Sequence, residues 1–201
     1  MEKEKSENKF IKKRGFYAAL VLMVIIGLTI FYIIQIGYYP VAVVNSNFVS
    51  AKSFSNAASS AHHYYTKAIQ SIEDESEEVK FKVNNEIRRA TLDKMIENVL
   101  IKKELSKRLG SDLAQLVARK TDIPQLKEPN FDDAVFNLYG LSILEFKKLV
   151  LVPQAREELL FDSIREDKDD FSKWIKEARE NASVIILAPE FSWDGEKIIF
   201  K

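Results

Sequence analysis

Apolar residues follow three different rhythms along this chain. The first is unbroken. From Phe16 to Ile36 (FYAALVLMVIIGLTIFYIIQI), 21 residues run with only Thr29 and Gln35 clearly polar. At 1.5 Å rise per residue such a helix is about 30 Å long, the thickness of a bilayer's hydrocarbon core. No charged residue occurs from Gly15 to Ala51. A buried core helix rarely runs so far without a charge, so the pattern predicts a membrane-spanning helix over 16–36. A cleaved signal peptide is the nearest competitor, but its apolar stretch is typically about 7–15 residues with small residues after it. Gly37-Tyr38-Tyr39-Pro40 is a poor cleavage site, and an uncleaved anchor is expected.

The second rhythm is helical. Phe54, Ala57, Ala58, Ala61, Tyr65, Ala68, Ile69 and Ile72 recur at spacings of three and four, which predicts a helix over about 53–72 capped by Ser50 or Ser53. Val83, Ile87, Ala90, Met95, Ile96, Val99, Leu100 and Leu105 predict a long helix ending at Gly110. A short helix carrying Leu113, Leu116 and Val117 follows. Pro124 and Pro129 break the pattern, Asn130 is placed to cap a helix through Leu138, and Ser142-Ile143-Leu144-Glu145 is a capping box flanked by Leu141 and Phe146. Pro153 suits the first turn of a further helix through Ile164, and Asp169 or Asp170 starts a last one with Phe171, Trp174, Ile175, Ala178 and Ala182.

The third rhythm is a pair of short β-branched runs, Val41–Val44 and Val184–Leu187. Either strand alone would leave a ladder of backbone groups unsatisfied, so the two are expected to pair and close the domain. Phe48-Val49 could form a further short strand. Residues 191–200 read either as a hairpin turning at Asp194-Gly195, with Phe191, Trp193, Ile198 and Phe200 on one face, or as a loose tail.

Charge changes the picture more than composition does. Thirty basic and thirty acidic residues give a net charge of zero, without the basic excess of a nucleic-acid binder. That balance divides: residues 1–36 carry net +3 and the remaining 165 carry net −3. The basic residues before the apolar run place the amino terminus in the cytoplasm and the rest outside. The absence of cysteine excludes disulfides, thiol nucleophiles and thiolate metal sites.

Candidate chemistry is sparse. His62 and His63 are adjacent, point about 100° apart on a helix and suit a structural or surface role better than one metal. Glu73–Glu78 reads as a solvated link more readily than a cation site. Asp132-Asp133 and Asp169-Asp170 sit at expected helix starts, where capping explains them. No phosphate loop, nucleophile elbow or dinucleotide fingerprint occurs. No cofactor, metal or catalytic residue is therefore expected. Tyr64, Tyr65, Phe81, Phe136 and Tyr139 are more aromatics than one core readily buries, and an exposed cluster of them would suit extended or unfolded polypeptide.

The order of these features resembles one family. Val41-Ala42-Val43-Val44-Asn45-Ser46-Asn47-Phe48-Val49-Ser50 after an anchor looks like the opening of the SurA/PrsA/PpiD extracytoplasmic folding factors. Similar too are Arg88–Ile96 with Leu100-Ile101, and Phe131–Leu160 with its Tyr139-Gly140-Leu141-Ser142, Glu145-Phe146-Lys147 and Pro153-Gln154-Ala155-Arg156. Trp174–Leu187 resembles the closing helix and return strand, so the likeness covers about residues 36–187. Two departures stand out. Ser46 replaces the family's turn glycine, and only 23 residues separate Leu160 from Val184, where a parvulin isomerase domain would need on the order of a hundred.

The resemblance implies a mainly α fold: a basic cytoplasmic tail (1–15), an anchor (16–36), a SurA-N-like helical chaperone domain closed by its terminal strands (37–187), and a hairpin or tail (188–201). It implies a single-pass chaperone or holdase of the bacterial cytoplasmic membrane. Such a protein binds unfolded or newly translocated polypeptides without catalysis, with an envelope or translocon protein as a further expected partner. The alternatives are an anchored subunit binding one folded envelope protein, and an isomerase-related protein whose site the sequence does not reveal.

Overall fold

A computed structural model of the chain describes residues 2–69 and 77–201. It divides into two compact units, Met1–Tyr39 and Pro40–Lys201. The first is one helix, α1 (Glu2–Ile36), which begins within the charged segment ahead of the apolar run. Its end is set by Gly37, at φ 75°. The Gly37 N–H donates to Ile34 O and the Tyr38 N–H to Ile33 O, both at 3.1 Å, the paired bonds of a Schellman cap. Within it, Ala19–Ile36 is long and apolar enough to cross a membrane.

The second unit is mainly helical with two small antiparallel sheets. Strand β1 (Pro40–Val44) is central, flanked by β2 (Asn47–Ser50) and by β3 (Val184–Ile186) from the far end of the sequence. The predicted closure by terminal strands is present, with Ala42 opposite Ile186 and Val44 opposite Val184. The β1–β2 turn needs two left-handed residues, supplied by Asn45 (φ 47°) and Ser46 (φ 68°). Such a two-residue turn matches strand twist, and Asn tolerates it well. Asn45 also fixes the sheet from its other side: its Oδ1 accepts from the Ser183 N–H at 3.0 Å.

Helix α2 (Ala51–Ile69) is capped by Ser50, whose Oγ accepts from the Ser53 N–H at 3.2 Å. The expected end at Ile72, and residues 73–76 of the acidic run, lie outside the described residues. Helix α3 (Glu77–Leu109) ends where Gly110 turns to φ 52°. A 3₁₀ turn leads into α4 (Leu113–Thr121), and a second one, Pro124–Lys127, precedes α5 (Phe131–Tyr139). Asn130 stands before α5 without a side-chain cap bond, contrary to expectation; its backbone carbonyl alone accepts, from Ala134.

The capping box of α6 (Ile143–Phe146) is complete, with Ser142 and Glu145 bonding each other's backbone N–H. The separate helix expected at Pro153 is instead continuous with α6. A π-helical turn, Lys147–Leu151, joins it directly to α7 (Val152–Glu166). Proline lacks an N–H and crowds the carbonyl four residues earlier, here Leu149, and the widened turn relieves both. Asp170 caps α8 (Phe171–Glu180) through the Ser172 and Lys173 N–H groups; Ala182 falls beyond its end.

Residues 191–200 form a hairpin, β4 (Phe191–Trp193) against β5 (Ile198–Phe200). Its connection has four residues, not the two expected at Asp194-Gly195. The Asp194 carboxylate accepts from the N–H groups of Glu196 and Lys197, which holds the wider loop. Phe191 and Ile198 enter the same core as Val44, Phe54, Leu92 and Ile96. A second cluster of Ile101, Leu105, Leu160 and Ile164 lies further along α3, and a third joins Val135, Leu141 and Phe146.

Candidate functional site

Two of the five sequence-selected aromatics meet. Tyr64 on α2 stacks on Tyr139 at the end of α5, with ring centroids 5.1 Å apart and planes 13° from parallel. Tyr139 also touches Phe146 at 5.0 Å, and Phe146 meets Phe131 edge-on at 6.3 Å. Tyr64 is thus an exposed ring, 46% accessible, backed by an aromatic stack that runs into the third cluster. Offset stacking of this kind holds the rings in place more firmly than area burial alone.

The stack forms one wall of a groove of about 300 Å³ between α2, α3 and the π turn. Ala57 and Ala61 make a flat floor, and Met95, Leu149 and Val150 complete the apolar lining. Small residues on α2 leave room for an occupant, while Met95 supplies an adaptable thioether surface. At the rim, Lys94 bonds Glu97 at 2.5 Å and Glu157 at 2.8 Å. Burial lowers the pKa of Lys94, but hydrogen bonds to the two carboxylates outweigh that and hold it above the ordinary lysine value. The Oδ1 of Asn98, which also lines the groove, is buried without a hydrogen-bond partner.

The turn behind Tyr139 is tightly specified. Gly140 adopts φ 64°, and a Cβ there would sit 3.4 Å from the His63 ring. His63 in turn donates from Nε2 to Asn137 O at 3.0 Å, tying α2 to the last turn of α5. The structural role expected of the histidines is met at His63, while His62 is exposed beside a polar cleft.

The other three aromatics do not line the groove. Phe81 and Phe136 are exposed singly, at 66% and 65%, and Tyr65 is half-buried. Leu149 and Val150 are the lining residues that sequence periodicity missed, because a π turn shifts the phase of a helical stripe. Pro153, following a run of apolar residues without a loop signal, is the trace that marked it. Asp132 and Asp133 are exposed in the first turn of α5. Among the described residues, no three His, Asp or Glu side chains converge on a metal-sized site.

Another cavity, of about 630 Å³, opens between α4, α7 and α8 beside Phe161 and Phe171. Lys120 crosses it to Glu158 at 3.1 Å and Asp162 at 3.8 Å, so its polar wall is already paired. The Tyr64–Tyr139 groove combines an apolar lining with an unsatisfied polar atom and is the better candidate for a binding site. In comparisons with known proteins, no family model, curated protein or solved structure matches the chain.

Proposed function

We propose that the chain is a membrane-anchored extracytoplasmic holdase that binds unfolded or newly translocated polypeptides without catalysis. The reading places α1 across the bacterial cytoplasmic membrane with its amino terminus inside. It places Pro40–Lys201 outside, as a SurA-N-like module without a parvulin domain. One observation carries it: the open groove faced by the Tyr64–Tyr139 stack. Contact with apolar side chains is non-directional, so such a groove accepts many sequences weakly. Tethering raises the effective concentration of the groove near a translocation exit.

The test uses the full chain in nanodiscs with a chemically unfolded client. Stoichiometric amounts should suppress client aggregation, and Tyr64→Ala with Tyr139→Ala should remove most of the suppression while the fold persists. Absence of suppression by the native chain overturns the proposal. Capture of one stoichiometric folded partner from envelope extracts, with no effect on unfolded clients, would identify an adaptor instead.

A further inference from the structure

The three-stranded sheet presents its second face to solvent. Strand register sets Phe48, Val43 and Ile185 side by side across β2, β1 and β3. Their neighbours Ala42, Val44 and Val49 are buried on the opposite face. Phe48 is 72% exposed and Ile185 56%, with Leu187, two positions on, at 52%. The row is contiguous, wholly uncharged and apolar. Polar side chains normally occupy the water-facing side of a small antiparallel sheet. An apolar row there marks a surface that meets something else.

The chain itself indicates what. Only Gly37, Tyr38 and Tyr39 separate Ile36, the last residue of the apolar helix, from Pro40, the first of β1. That connection spans at most about 14 Å at 3.3–3.6 Å per residue. A helix crossing a bilayer would therefore hold this sheet within reach of the headgroup layer. Tyr38 and Tyr39, both exposed, are the residue type that favours the same layer.

We infer that the Phe48–Val43–Ile185 face, with Leu187, inserts into the headgroup–acyl boundary of the membrane. The inference rests on the reading of α1 as a membrane span. Insertion draws on apolar burial and an interfacial aromatic ring, so lipid of no net charge suffices. The groove would then be carried by a domain docked on the bilayer at its sheet, rather than swinging freely on a tether.

The absence of cysteine makes the test direct. Single variants F48C, I185C, S111C and G27C of the full chain would be nitroxide-labelled and reconstituted in phosphatidylcholine vesicles. Collision with lipid-soluble oxygen would be compared with collision with a water-soluble nickel chelate. Labels at 48 and 185 should give an oxygen-to-nickel ratio several-fold above that at exposed Ser111, approaching that at Gly27 in the span. Ratios at 48 and 185 equal to that at 111, with 27 in the bilayer, overturn the inference and leave the span standing. Shielding of 48 and 185 from both reagents overturns it too, by revealing a protein cover. A water-like ratio at 27 refutes the span, and the inference with it.

Discussion

The sheet-side core and the groove side of the second unit use the same residue types for opposite ends. At the sheet side, Ala42, Val44, Leu92, Ile96 and Ile198 are fully buried, and charged groups close over them. Arg179, only 15% accessible, bonds Asp93 at 3.1 Å and Glu97 at 2.7 Å, and donates to Glu196 O at 2.9 Å. The Asp93 carboxylate accepts from the Ile198 N–H at 3.1 Å, so α3, α8 and the hairpin share one knot. At the groove side the third cluster has a small buried centre of Val135, Leu141 and Phe146, while Tyr64, Phe136, Leu138 and Leu144 stay exposed. Between α3 and its two flanks, tight packing and an open apolar groove thus fall in separate places, while the sheet carries a second exposed apolar surface on its outer face at Phe48 and Ile185.

Four changes test that separation, beginning with the core. Leu92→Ala should cost about 4 kcal/mol, the usual range for a buried leucine whose site cannot collapse. Urea titration would measure the loss, and client suppression by the remaining folded protein should be unchanged. A comparable loss of binding affinity would show that the two regions are coupled.

Arg179→Ala should cost about 3 kcal/mol, since it strands Asp93 and Glu97 half-buried. It also alters the response to acid. Burial raises the pKa of Glu97, but hydrogen bonds from Lys94 and Arg179 outweigh it and hold the carboxyl below its ordinary 4.5. A depressed carboxylate contributes stability above its unfolded pKa and loses it as pH falls through the folded one. The native protein should therefore weaken as pH drops below about 4.5, and Arg179→Ala should flatten that decline. Identical acid limbs for the two proteins would remove the knot from the account.

On the groove side, Gly140→Ala forces a side chain into left-handed backbone against His63. A cost of about 1–2 kcal/mol is expected, with the Tyr64–Tyr139 stack displaced and client suppression reduced more than stability. Unchanged near-ultraviolet tyrosine dichroism would contradict it. The smallest effect is a gain. Arg156 has a buried Nε without a partner, and burial lowers its pKa. Arg156→Met keeps the apolar stem and removes the stranded donor, so it should stabilise by about 1 kcal/mol in thermal unfolding.

Much of the architecture was legible because its signals are local. Ser142 and Glu145 cap each other three residues apart, Gly110 ends a helix by its own backbone freedom, and a 21-residue run with only Thr29 and Gln35 clearly polar needs no partner to be read. The site was half legible. Tyr64 and Tyr139 stood out as aromatics, yet nothing local distinguished them from Phe81 or Phe136, and Tyr65 sits next to Tyr64. Leu149 and Val150 were hidden by the π turn, and the four-residue hairpin loop by a dipeptide that favours a shorter one.

What the sequence determined by itself was the apolar helix, the helix ends marked by Gly110 and Ser142, the charge division and the need for the two β-branched runs to find partners. Each depends on interactions a few residues apart, or on a ladder of backbone groups that must be satisfied somewhere. Only the tertiary structure decided which tyrosine stacks on which, that Arg179 closes the hairpin onto α3, and that Phe48 and Ile185 share an uncovered face. Tyr64 and Tyr139 are 75 positions apart in the chain, Arg179 and Asp93 are 86 apart, and Phe48 and Ile185, which flank Val43 from either side, are 137 apart. Over such separations, burial and strand register choose the neighbour, and residue type alone does not.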